Sequence, residues 1–233
     1  MQKLLVGITG ASGSLGKQII RIKSNIKFIR FNGDIRSKET IRKWFKKYQF
    51  DAIFHLAAIV PIKEVNSNKK RALGVNYVGT KIIANEVLKN KINWFFFSST
   101  SHVYSSNTKK IKETFKRKPV SYYGYTKKLA EDYIIKKFKD DKIRYCIGRI
   151  FSISNKYQKK DFLVADLKKK IKHIKKIILL KNLNHFRDFI STKDLAEIII
   201  YFYKKKVNGI VNLGTGNAIH LKKIAKFLAK KYK

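Results

Sequence analysis

Apolar positions in this chain come in short runs, and most runs are followed by a stretch with helical spacing. Residues 4–9 (LLVGIT) read as a buried strand, and residues 14–23 place Leu15, Ile19, Ile20 and Ile22 along a helix. Residues 26–31 read as a second strand, ending at Asn32-Gly33-Asp34. Residues 37–48 form an amphipathic helix with Ser37 as its N-cap, Ile41, Trp44 and Phe45 on one face, and lysines opposite. A buried strand over 52–56, a long helix over 72–89, a strand over 94–98, a helix over 123–138 and a strand over 143–149 follow. This alternation predicts an α/β fold with a parallel sheet covered on both faces. Beyond Phe151 the pattern loosens. It reads as a loop over 156–160, a helix over 162–174, a short strand over 177–180, a helix over 192–203, and a last strand and helix over 211–213 and 221–232. The Lys/Asn-rich segment 105–118 is expected to be a mobile surface loop.

Composition narrows this picture. With 233 residues, 44% of them hydrophobic, the chain can build one good-sized domain, or a main domain with a small second lobe. A single cysteine, Cys146, excludes an intramolecular disulfide framework and fits a reducing compartment. The first apolar stretch is too short for a signal peptide, and the longest apolar candidate, 196–203, is too short for a bilayer and contains Glu197. A cytoplasmic protein with no membrane contact and no metal site is expected. The formal net charge of +39 points to nucleic acid or another anionic partner. The lysines are scattered through almost every segment, however, and their excess alongside Ile, Asn and Phe, with only two prolines, matches AT-rich coding. Such a field should still attract anionic small molecules, less so in salt.

Two motifs carry the candidate chemistry. Thr9-Gly10-Ala11-Ser12-Gly13-Ser14-Leu15-Gly16 lies between the first strand and the first helix. Its glycines permit a tight turn and close approach of a pyrophosphate, while the helix start offers unpaired N–H groups to the anion. No carboxylate occurs between Gly16 and Asp34 to hold an adenosine ribose, whereas Arg21, Arg30 and Arg36 are nearby, which leans toward NADP over NAD. The second motif is Tyr123 with Lys127 one helical turn later. A cation beside a phenol favours the phenolate, and a shift of about three units needs roughly 4 kcal/mol of differential interaction. Tyr122 and Tyr125 have no lysine at that spacing. Between these motifs, the strand at 94–98 ends in Ser98-Ser99-Thr100-Ser101, hydroxyls at the edge where parallel sheets bind ligands.

Together these residues resemble the extended short-chain dehydrogenase/reductase family, in its nucleotide-sugar epimerase, dehydratase and reductase branch. The likeness runs through further segments: Gly33-Asp34-Ile35-Arg36, DAIFHLAA at 51–58, Val75-Asn76-Tyr77-Val78-Gly79-Thr80, FSSTSHVY at 97–104, Arg187-Asp188-Phe189-Ile190 with Asp194, and Asn212-Leu213-Gly214-Thr215-Gly216. The resemblance implies a Rossmann-type doubly wound sheet over 1–151 and a small C-terminal substrate lobe over 152–233, of which about 187–203 packs back on the first unit. It implies NAD or NADP held by Gly10, Ser12, Gly13, Ser14, Leu15, Gly16, Asp34, Ile35, Leu56, Ala57, Ala58, Asn76, Ser98, Tyr123 and Lys127. The implied catalytic residues are Thr100, Tyr123 and Lys127, and the implied substrate contacts are Ser99, Thr100, Ser152 and Arg187. The implied reaction is hydride transfer at C4 of a nucleotide-linked hexose, by an epimerase or a 4-keto reductase.

There are departures from the family pattern. Dehydratases of this branch carry Asp-Glu after the hydroxyl residue; here Ser101 and His102 stand there, which argues against dehydration and leaves His102 a structural or solvent role. Ser152 stands where an asparagine is often found. One strand–helix unit before Asp34 looks shortened or lost. The resemblance also implies a homodimer through the helices at 72–89 and 123–138. The alternative is a homologue without turnover that binds nucleic acid or senses the cofactor.

Overall fold

The computed structural model describes residues 3–107, 109–141, 143–155, 163–172, 180 and 183–232. In chain order its elements begin β1 (Leu4–Thr9), α1 (Ser14–Arg21), β2 (Ile26–Arg30), α2 (Lys38–Lys47), β3 (Ala52–His55), α3 (Ile62–Ser67) and α4 (Lys69–Leu73). A π-helical turn (Gly74–Gly79) leads into α5 (Thr80–Lys89), followed by β4 (Trp94–Thr100), a 3-10 turn (Ser101–Val103), α6 (Tyr122–Asp140) and β5 (Arg144–Ile150). Then come β6 (Ser152–Ser154), α7 (Leu163–Lys172), β7 (Phe186–Ser191), α8 (Thr192–Lys204), β8 (Gly209–Leu213), β9 (Ala218–His220) and α9 (Leu221–Tyr232).

Six strands form one parallel sheet in the order β2-β1-β3-β4-β5-β8. Alternate side chains of its central strands enter different layers, as the two-residue period of a strand requires. Val6, Ile8, Ala52, Phe54, Trp94 and Phe96 pack with Leu15 and Ile19 of α1 and with Leu195, Ala196, Ile199 and Tyr203 of α8. Ile53, Phe95, Phe97 and Ile147 pack on the other face with Trp44 and Phe45 of α2, Ile83 and Val87 of α5, and Ala130 and Ile134 of α6. Burial on both faces explains why these strands are continuous apolar runs. A smaller sheet, β6-β7-β9, stands beside the main one.

Some expectations need correction. The helix expected over 72–89 is interrupted by the π-helical turn, whose Asn76 faces fully inward. The segment 105–118, expected to be a mobile loop, is pinned to the core: Asn212 Nδ2 donates to the Ile111 carbonyl (2.9 Å), Asn212 N to Glu113 Oε1 (2.8 Å), and Arg149 Nη1 to the Glu113 carbonyl (3.0 Å). Lysine content does not reveal such long-range bonds. Among the described residues a single strand, β2, flanks β1 on its outer side, in keeping with the strand–helix unit expected to be lost before Asp34. The loop expected over 156–160 and the strand expected over 177–180 fall outside the described residues, apart from Leu180.

Candidate active site

The glycine turn follows directly from β1. Gly10 has φ +70°, a conformation that side chains disfavour, and a Cβ there would lie 2.6 Å from Ala57 N. A Cβ at Gly16 would lie 2.5 Å from the Gly10 carbonyl. Gly13 caps α1 with no side-chain bond, and the first turn of α1 holds no acidic residue. Ser12, Gly13 and Ser14 are exposed, whereas Leu15 and Gly16 are buried. An uncapped helix start with a positive dipole end and no space for side chains fits a pyrophosphate.

A buried polar chain holds this turn against the next strand. Thr9 Oγ1 accepts from the Leu56 and Ala57 amides (both 3.2 Å) and lies 2.7 Å from His55 Nδ1. His55 Nε2 lies 2.9 Å from Thr80 Oγ1, whose own hydrogen goes to the Asn76 carbonyl (2.8 Å). Thr80 Oγ1 therefore accepts from His55 Nε2–H, and Nδ1 accepts from Thr9. Burial, with the charge of Lys127 adding to it, takes His55 down to about 3, so the imidazole is neutral. The backbone of Leu56 and Ala57 thus lies beside Gly10.

Asp34 and Asn76 are differently employed. The Asp34 carboxylate is gripped by Arg36 (Nη2 to Oδ2 2.6 Å, Nε to both oxygens 3.0 Å), which holds it down at about 2. Ile35 next to it is buried against Gly79. Asn76, expected at the cofactor, has its amide taken up by protein: it accepts from Ile59 N (2.8 Å) and donates to the Ile59 carbonyl (3.0 Å) and Thr126 Oγ1 (3.2 Å). It is a clamp between the loop after β3 and helix α6.

Tyr123 and Lys127 occupy one buried face of α6, whose N-cap Ser121 accepts from Gly124 N (3.1 Å). Gly124 has no side chain to keep the 3-10 turn away: a Cβ would collide with the His102 carbonyl. Thr100, at the end of β4, lies close enough to the Tyr123 phenol to favour its ionised form. The phenol is not depressed in the protein alone. Burial pushes Tyr123 up to about 12, against the opposing pull of Thr100. Burial also takes Lys127 down to about 7, with Glu131 acting to raise it, and its Nζ lies 4.0 Å over the Phe97 ring. Desolvation is therefore the dominant influence on both groups.

The hydroxyls of β4 divide. Ser98 is half-buried, while Ser99, expected to touch substrate, is 2% exposed and donates its hydrogen to Glu131. Arg187, on β7, is partly buried and its charge is felt by His102, whose ring meets that of Tyr123 edge-on at 5.8 Å. Burial, then Arg187, lowers His102. Ser152 opens β6, opposite Phe189 of β7, half-buried. Thr100 and His102 thus lie beside Tyr123, with Lys127 one turn further along α6 and Arg187 acting on His102, while the polar atoms of Ser99 and Asn76 are engaged by Glu131, Ile59 and Thr126.

Sequence reasoning passed over Glu131 and Arg149. Glu131 is fully buried and accepts from Arg149 (Nη2 2.8 Å, Nε 3.1 and 3.2 Å) and Arg117 (3.1 Å). Arg149 also donates to Tyr104 Oη (2.6 Å), which in turn donates to Asn212 Oδ1 (2.9 Å). The signal was available: Glu131 stands two helical turns after Tyr123, on the apolar face of α6.

The profile of the NAD dependent epimerase/dehydratase family matches residues 6–214. GDP-6-deoxy-D-talose 4-dehydrogenase of Aggregatibacter actinomycetemcomitans is 28% identical over 220 residues, covering 90% of this chain and 74% of that protein. The UDP-glucose 4-epimerase of Thermus thermophilus, solved in complex with NAD, superposes with a TM-score of 0.85 at 18% identity, over 98% of this chain and 83% of that one. The RMD protein of Pseudomonas aeruginosa, solved with NADPH, gives 0.88 at 19% identity, over 97% and 83%.

Proposed function

The chain belongs to the NAD-dependent epimerase/dehydratase family, and on that premise we propose that it is an oxidoreductase or epimerase acting at C4 of a nucleotide-linked sugar. What carries the reading is that the glycine cradle and the buried Thr100–Tyr123–Lys127 set both lie at the C-terminal edge of one parallel sheet. The relatives, a nucleotide-sugar 4-dehydrogenase and a 4-epimerase, suggest the substrate class. A pure binder would have no use for that set of three.

The residues that would hold the dinucleotide are Gly10 to Gly16 at the pyrophosphate, Leu56 to Ala58 alongside, and Lys127 at the ribose next to the nicotinamide. When bound, the nicotinamide supplies or takes the hydride. Tyr123 Oη hands a proton to the sugar oxygen in reduction and takes it back in oxidation. Thr100 Oγ1 holds that oxygen against the phenol, and Arg187 pairs with the substrate diphosphate. Because the phenol is protonated in the protein alone, the resting site is set as a proton donor.

The test has two parts. Fluorescence titration with NADH and NADPH should show saturable binding of at least one, and absence of both would end this reading. Incubation with 4-keto nucleotide sugars then separates the reactions: net NAD(P)H oxidation marks a reductase, and sugar interconversion without net cofactor use marks an epimerase.

A further inference from the structure

Helix α6 carries a third buried polar residue beyond Tyr123 and Lys127. Glu131 follows Lys127 by four residues, so the two lie one turn apart on the same face. Both are sealed from water, at 0% and 1% exposure. Glu131 reaches three other elements: Ser99 of β4, Arg149 of β5, and Arg117 from the segment before α6. Ser99 immediately precedes Thr100, so the carboxylate grips the strand end that presents the reacting hydroxyl. Lys127 is differently provided. Among the described residues no hydrogen bond or ion pair is found for its Nζ, and the Phe97 ring lies beneath it.

We propose that Glu131 is a positioning residue of the proton relay: it fixes the Ser99–Thr100 strand end and supplies a buried negative charge that favours the protonated form of Lys127. This rests on the redox reading above only for its catalytic consequence. The charged and titratable groups around Lys127 are His55 from β3 and Tyr123 and Glu131 from α6; β4 offers only the Phe97 ring and hydroxyls. His55 is neutral and Tyr123 is protonated, which leaves Glu131 as the one anion acting on Lys127. Arg149 and Arg117 hold Glu131 in place. A carboxylate whose charge is cancelled by Arg149 and Arg117 would affect stability and leave the amine's titration alone.

The titration of Lys127 itself decides the matter, with no substrate needed. Protein labelled in its lysine side chains with 13C and 15N is titrated by NMR. Exposed lysines titrate near 10.4, and the Lys127 signal is assigned by its loss in Lys127→Met. In Glu131→Gln, which keeps the shape but not the charge, the Lys127 midpoint should fall by about one pH unit, and Glu131→Asp should restore most of it. Should Glu131→Gln alone not fold, Glu131→Gln/Arg149→Met removes both charges of the pair, and a smaller fall in the same direction is expected, because a cation leaves with the anion. An unchanged midpoint in whichever charge-neutral variant folds, or a fall equally large in Glu131→Asp, would overturn the proposal. A failure of the redox reading would appear elsewhere, as absence of dinucleotide binding.

Discussion

At the scale of single residues, the site is a set of groups made costly by burial. Tyr123→Phe removes the proton donor and keeps the ring, so turnover should fall by about 10²–10⁴-fold while dinucleotide fluorescence titrations stay unchanged. Lys127 shows the cost of such a site. Its folded pKa lies near 7, below the unfolded value near 10.4. Between those values the unfolded chain holds the extra proton, so the lysine's contribution to stability rises with pH across that window and is least favourable below pH 7. Each pH unit is worth at most about 1.4 kcal/mol per proton. Lys127→Met should therefore raise the melting temperature more at pH 6 than at pH 9, while abolishing activity. Thr100, Tyr123, Lys127 and the glycine turn were legible in the sequence because local spacing defines them. Glu131 and Arg149 were not, since their meaning lies in a pairing between a helix and a strand 18 residues apart. His55 stood in a quoted motif, but its two partners come from β1 and α5.

Among the elements, β1, β3 and β4 could be read because burial on both sheet faces yields apolar runs, and β2, β5 and the main helices because they alternate with these at regular spacing. The π-helical turn, β6 and β9 could not. The turn has no period of its own, and both strands are three residues long and held by pairing with β7. The segment before α6 was misread for a similar reason: its anchors, Asn212 and Arg149, lie far along the chain. Asn212→Ala removes its bond to Ile111 and leaves Tyr104 Oη without an acceptor there. Limited proteolysis should then cut within 105–118 several-fold faster than in the parent, by local opening at about 1 kcal/mol lower cost. Equal cutting rates would show that the remaining anchors, the backbone amide of residue 212 on Glu113 together with Arg149 and Arg117, suffice.

For the molecule as a whole, charge and exposed apolar side chains set its associations. With a net charge of +39, the capture of an anionic nucleotide sugar should be salt-sensitive. kcat/KM is expected to drop several-fold between about 0.05 and 0.5 M salt, with kcat little changed. Among the described residues none of the helices is long and apolar enough to cross a membrane. Val78 and Tyr125 are exposed on the helical stretches around 72–89 and 123–138, and we expect them to pack against a second copy. Light scattering at micromolar concentration should give a dimer mass, and Val78→Glu should give a monomer. The two-layered core has one further consequence. The two tryptophans of the chain sit in opposite layers, Trp94 toward α8 with its indole N–H on the Val207 carbonyl (2.9 Å), and Trp44 toward the other face. Replacing either by Phe leaves an intrinsic optical reporter for a single layer. Denaturation curves of the two single-tryptophan proteins would then reveal whether the sandwich melts in one cooperative event or loses one side first.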